Sequence, residues 1–158
     1  MKPLYIFDLD GTMALCDHRQ HFLADTDDPQ RWRKFYAACD LDLPNVPVIS
    51  TMERLRLTGA DIWIFSGRSD EVRQKTVDWL TAHTSFMTWD LAPEGGACLT
   101  MRVAGDYTPD DELKALWLDR MLIEDRERLI AIFDDRERVV QMWRNRGVAC
   151  FQVAKGSF

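Results

Sequence analysis

Three short apolar runs in this chain each end in a polar cluster, and that recurrence restricts the fold more than any other feature. LYIF leads into DLDGT at residues 4–12, IWIF into SGR at 62–68, and LIAIF into DDR at 129–136. Apolar runs of this length, with no polar alternation, read as strands buried on both faces. Segments with helical spacing lie between them. Residues 46–57 place Val48, Ile49, Met52 and Leu55 on one side, with Gly59 as a stop. Residues 70–83 follow Ser69 as N-cap and align Val72, Val77 and Leu80. Residues 110–122 and 137–146 are also helical, the latter stopped by Gly147. Strands alternating with helices predict an α/β fold, a parallel sheet with helices on both faces. Sites in such sheets form beyond the carboxyl ends of the strands. The three polar clusters, distant in sequence, should meet there.

The remaining elements are weaker. Residues 13–42 show no strand alternation, are rich in charge and aromatics, and are punctuated by Pro44 and Pro47. They read as an inserted segment of one or two helices. Residues 86–91 and 98–103 are short strand candidates around the turn PEGG, and 148–153 is a final strand. The 158 residues suit one domain with a real core.

Asp8 and Asp10 lie two apart on an extended stretch, so both face one small volume. Carboxylates that close repel unless a cation or a shared proton relieves them. The stretch calls for a divalent metal, a shared proton, or both. Asp8 is a candidate carboxylate nucleophile, and Asp10 can give and then take a proton. Asp134 and Asp135 add acidic oxygens from another strand end, a set suited to a hard cation, Mg²⁺ above all. Ser66 and Arg68 offer a hydroxyl and a planar donor fork, both suited to phosphate, and Lys114 a point charge. Together they fit phosphoryl transfer.

A net charge of −6 argues against a long nucleic-acid track or a membrane-surface role. The four cysteines, Cys16, Cys39, Cys98 and Cys150, are too scattered for a zinc site and read as reduced thiols. With no signal peptide and no long apolar stretch, the cytoplasm is the expected compartment and no membrane partner is expected. Oligomeric state is not legible. In the inserted segment, Trp32, Phe35 and Tyr36 lie beside Arg31, Arg33 and Lys34. Such a mixture suits either base stacking with a phosphate contact or a small local core with a solvated rim.

D-x-D-G-T at residues 8–12, S-G-R at 66–68, a single Lys114 and the pair Asp134–Asp135 resemble, in order, the four motifs of the haloacid dehalogenase-like phosphohydrolases. That resemblance implies a Rossmann-like sheet with a small cap inserted at residues 13–43, all within one domain spanning 1–158. It implies that Asp8 forms an aspartyl-phosphate and Asp10 serves as acid and then base. It further implies that Ser66 and Lys114 hold the phosphoryl group, and that Mg²⁺ is held by Asp8, the backbone carbonyl of Asp10, Asp134 and Asp135. The segments CDLDLPNVPVISTMERL, GDYTPDDELK and FDDRERVVQMWRNRGVACFQVAKGSF are similar to the 3′-phosphatase domain of phage polynucleotide kinase-phosphatase. By that likeness Arg19, Arg68 and Asp110 are required, with Thr12 on the substrate side. The implied substrate is a 3′-phosphorylated nucleic-acid end or nucleotide, in nucleic-acid repair. No G-x-x-x-x-G-K-[ST] element is present, so phosphatase without kinase activity is expected. A mononucleotidase or general small-molecule phosphatase is the alternative. A non-catalytic nucleotide-binding module is a further one, disfavoured by the second carboxylate placed for proton transfer.

Overall fold

A computed structural model of the chain describes residues 1–92 and 98–156. The apolar runs form the middle of a five-stranded parallel sheet. Strand β1 (Leu4–Phe7) lies between β4 (Asp61–Ser69) and β6 (Leu129–Arg136), with β5 (Leu99–Arg102) and β7 (Cys150–Gly156) at the edges. Leu4 to Phe7 pair with Asp61 to Ile64 on one side, and Phe7 meets Phe133 on the other. Alternate side chains enter opposite layers, as extended geometry requires. Phe7, Ile62 and Ile64 join Ile49 and Met52 of α3 (Val46–Leu57) and Trp79 and Leu80 of α4 (Arg73–His83) in one core. Ile6, Phe65 and Ile132 join Leu118 of α5 (Asp110–Arg120) and Val139, Val140 and Trp143 of α7 (Glu137–Asn145) in the other. Each fully buried aliphatic or aromatic chain contributes about 1.5–3 kcal/mol. The two apolar layers therefore hold the sheet between its helices, the fold expected.

Several expected boundaries shift. Strands β4 and β6 run on through SGR and DDR, because Ser69 pairs with Arg102 and Arg136 with Gly156 past local irregularities. Residues 86–91 are not a strand. Phe86 and Leu91 are buried, but the chain between them turns, and their apolar spacing reflects two anchors of one loop. The expected PEGG turn lies outside the described residues. The helix expected to start at 70 opens as a 3₁₀ turn, with the Ser69 hydroxyl accepting from the Glu71 amide as an N-cap should. A short helix α6 (Ile123–Glu127) follows α5. Between β1 and α3 lie a two-stranded ribbon, β2 (Ala14–Leu15) with β3 (Leu43–Pro44), and two short helices, α1 (His21–Ala24) and α2 (Arg31–Ala37). Among the described residues no helix is long and apolar enough to cross a membrane.

Candidate active site

The polar strand ends meet at a cleft of about 540 Å³ whose lining includes Asp8, Asp10, Asp134 and Asp135. Asp8 directly follows β1, its amide donating to Phe133 O at 2.9 Å. The chain then turns sharply, Leu9 O accepting from the amides of Thr12, Met13 and Ala14. Gly11 sits at the bend with φ +83°, and a Cβ there would overlap the carboxylate of Asp135. Glycine thus lets the first strand's loop close onto the third strand's acid. Thr12 is fully buried and donates to Asp135 Oδ1 at 3.4 Å.

One cluster is built on a buried lysine. Lys114, from the first turns of α5, donates to Asp8 Oδ1 at 2.6 Å and to Asp134 Oδ2 at 2.9 Å, and lies 3.5 Å from Asp110 Oδ2. Burial opposes the charge on Lys114, but Asp110, Asp134 and Asp8 overcome it and raise its pKa, so it stands as an ammonium. Burial, reinforced by Asp134 and Asp135, pushes Asp8 well above the usual carboxylate range. Burial beside Asp134 likewise lifts Asp135 to about 6. Oxygens of Asp8, Asp134 and Asp135 lie within 4.8 Å of one another. Lys114 is thus bonded to Asp8 and Asp134, with Asp110 at 3.5 Å and Asp135 beside this group, so the carboxylates outnumber the ammonium. The deficit of positive charge, the all-oxygen donor set and the close approach allowed by Gly11 all fit a hard divalent cation.

A second cluster is built on two buried arginines. Arg19 and Arg68 are both 0% exposed. Arg19 donates to Asp10 Oδ1 at 2.5 Å, and the Arg68 guanidinium bonds the same oxygen. Both also reach Asp42, which accepts from Arg19 Nε and Nη2 at 2.7 Å and from Arg68 Nη2 at 2.9 Å. His18 Nε2 lies 2.9 Å from Asp42 Oδ1. Arg68 Nε also reaches Asp10 Oδ2 at 3.4 Å, and the Nη1 atoms of Arg19 and Arg68 donate to Phe35 O and Thr76 Oγ1. These forks therefore face carboxylates within the protein. Burial opposes ionisation of Asp10, but Arg68 and Arg19 prevail and hold its pKa down to about 2. Sequence reasoning missed Asp42. The signal available for it was electrostatic: two arginines expected in one buried site bring charge that carboxylates must balance.

The other expected residues fall close by. Ser66 is buried, its hydroxyl accepting from the Arg68 amide at 3.3 Å. Asp110 packs against Gly67, where a Cβ would collide with its carboxylate, and it also meets Arg102 at 3.4 Å and Arg136 at 3.8 Å. The Gly67 carbonyl accepts from Arg102 Nε at 2.8 Å and from Tyr36 Oη at 3.2 Å. Arg102 also bonds the carbonyls of Asp106 and Thr108. Arg31 bonds backbone carbonyls near its own helix, and Lys34 pairs with Asp28 at 2.7 Å. These two are rim residues of the local turn. Trp32 and Arg33 line the cleft. The four cysteines are free, with Cys16, Cys39 and Cys150 buried.

A parallel sheet whose central strand ends in D-x-D, with a lysine and an acidic pair brought to it from later elements, defines a haloacid dehalogenase-like phosphatase. Comparison with known proteins narrows the class. The chain belongs to the family of polynucleotide kinase PNKP phosphatase domains, whose model matches residues 2–158. It is 31% identical over 139 residues to a putative bifunctional polynucleotide kinase/RNA ligase of Autographa californica nuclear polyhedrosis virus, covering 87% of this chain and 17% of that protein. A chain in the structure of the Pnkp1/Rnl/Hen1 RNA repair complex is 29% identical, with a TM-score of 0.73 over 99% of this chain and 44% of its own length. This chain therefore spans less than half of either relative. The class C acid phosphatase of Bacillus anthracis shares the fold, with a TM-score of 0.63 at 15% identity, covering 99% of this chain and 68% of its own.

Proposed function

We propose that the protein removes 3′-phosphates from polynucleotide ends by way of an aspartyl-phosphate on Asp8, with Mg²⁺ held by Asp8, Asp134, Asp135 and the backbone carbonyl of Asp10. The observation that carries the reading is the pair of clusters: Asp8 and Asp134 on Lys114, and Asp10 clamped by two arginines at the same cleft. The cation would neutralise the carboxylates and the incoming phosphoryl oxygens. Asp8 attacks phosphorus as the bond to the 3′-oxygen breaks, and Asp10 supplies that oxygen with a proton. Water then attacks the phosphoryl group, Asp10 takes its proton, and Asp8 is released with inorganic phosphate. Lys114 and Ser66 are placed to stabilise the phosphoryl oxygens.

Asp10 has a constraint of its own. With its pKa near 2 it is ionised at neutral pH and cannot act as an acid alone. An entering phosphoryl dianion brings like charge beside it and raises its proton affinity. Asp10 thus becomes an acid only with substrate in place. Arg19 and Arg68 fix its orientation through the bonds they make to its carboxylate. Residues 13–43 serve as the cap, and the protein would act in nucleic-acid repair. The net charge of −6 and the acidic cleft favour a nucleotidase as second reading, since neither offers a long track for a polymer. A panel of a 3′-phosphorylated oligonucleotide, 3′- and 5′-mononucleotides and an aryl phosphate, ranked by kcat/KM, tests both. The oligonucleotide should lead; a preferred 5′-mononucleotide would overturn the 3′-end reading.

A further inference from the structure

The cleft has aromatic walls that the chemistry above does not use. From α2 come Trp32 and Tyr36, and the loop before α5 adds Tyr107 to the same lining. Trp32 is 37% exposed and Tyr107 87%. Exposure alone is ordinary for single apolar residues, but Trp32 and Tyr36 are adjacent rings that both line the cleft. Trp32 does not hang loose. Its indole meets Phe35 edge-on at 5.9 Å and Tyr36 at 5.9 Å with a 31° tilt. Phe35 is buried under the Arg19 guanidinium, 4.0 Å above its ring, and the Tyr36 hydroxyl is tied to Gly67 O. The platform is thus fixed, through two neighbours, to the residues that orient Asp10. A rigid aromatic surface costs little conformational entropy when a ligand settles on it.

The charges around the cleft are poorly suited to holding a strand by themselves. Arg33 pairs with Glu71 at 3.4 Å, Arg138 with Asp111 at 3.0 Å and Arg136 with Asp110 at 3.8 Å. Carboxylates lie on every wall. An uncharged, sequence-tolerant grip is what remains, and aromatic stacking supplies that for any base. We propose that Trp32 is a stacking platform for the terminal nucleobase of a single-stranded 3′ end whose phosphate lies at Asp8, with Tyr107 lining the same cleft. This rests on the 3′-phosphatase reading and deepens it. It favours a single-stranded or frayed end, since a paired terminal base must first bear the cost of unpairing and unstacking to meet the indole.

The test compares a short single strand carrying a 3′-phosphate with the same strand lacking its terminal base. Stacking of one base on an aromatic side chain corresponds to about 5- to 150-fold. The wild type should prefer the base-bearing strand by a factor in that range in kcat/KM. Trp32→Ala should compress the ratio toward one, Trp32→Phe should keep most of it, and Tyr107→Ala should lower it in part. A binding readout stands beside the kinetics. A terminal 2-aminopurine should be quenched on binding Asp8→Asn protein, and the quench should be lost when Trp32→Ala is added. Thermal melts check that each variant is folded, and exposed Tyr107 keeps the test open should the tryptophan variant fail. Equal hydrolysis of both strands by the wild type, or a ratio unchanged by Trp32→Ala, overturns the platform alone. Hydrolysis of neither strand with an aryl phosphate still cleaved overturns the 3′-end reading and the platform with it.

Discussion

Replacing Asp42 with asparagine should damage both folding and turnover, although Asp42 is not among the residues lining the cleft. Its carboxylate is fully buried and accepts from Arg19 at two atoms, from Arg68 and from His18. The amide has one accepting oxygen and turns two N–H groups toward guanidinium donors. Breaking a buried pair by removing one partner costs about 3–5 kcal/mol. Asp10 remains as a counter-charge, so the lower end, about 3 kcal/mol, is expected. At about 2–4 °C per kcal/mol for a chain of this size, Tm should fall by about 6–12 °C. Both arginines would then lean on Asp10 alone and draw it from its place. A misplacement near 1 Å costs about 100-fold in rate, so kcat should fall on that scale. A circular-dichroism melt and kcat on an aryl phosphate measure the two effects. A variant melting within about 2 °C of wild type, with undiminished kcat, would refute the claim that Asp42 anchors this cluster.

Chelation should abolish turnover and added Mg²⁺ restore it; turnover surviving exhaustive chelation would contradict the cation assigned to Asp8, Asp134 and Asp135. Asp10→Asn should lose far more rate on a 3′-phosphorylated strand, whose leaving alkoxide needs a proton, than on an aryl phosphate, whose leaving group does not. Equal losses on both would remove its role as an acid. Gly67→Ala should impair activity, because the new methyl would occupy the place of the Asp110 carboxylate and disturb its contact with Lys114; a wild-type rate would show that Asp110 can yield. The burial that raises Cys16 and Cys150 to about 12 should leave both inert to a thiol reagent in the native protein at pH 8, and partly exposed Cys98 should react first. Faster labelling of a buried thiol would point to local opening there.

The sheet was legible because apolar runs such as IWIF and LIAIF have no other use than burial on both faces. The sequence was less clear where polarity and burial part company. Ser69 and Arg136 still pair within the sheet, yet no hydrophobic pattern extends a strand that far. Phe86 and Leu91 show the opposite failure, two buried anchors of a turn whose spacing imitates a strand. In the site, Asp8, Asp10, Lys114 and the acidic pair could be picked out by residue type and position. The arginines could be picked out too, but their direction could not. A guanidinium fork suits phosphate and carboxylate equally, and only the fold shows Arg19 and Arg68 turned toward Asp10 and Asp42. Asp42 itself looks like part of a linker before a proline, because its partners lie 23 and 26 residues away.

Arg19 ties α2 to the carboxylate that follows β1. One end of its guanidinium holds Asp10, while another donor takes Phe35 O and its plane lies over the Phe35 ring. Swinging α2 away from the sheet would strip the Arg19 guanidinium of its bond to Phe35 O and of the ring beneath it, and open to water a charge the fold keeps dry. Opening the segment over the cleft therefore carries an electrostatic cost, borne at the same arginine that orients Asp10.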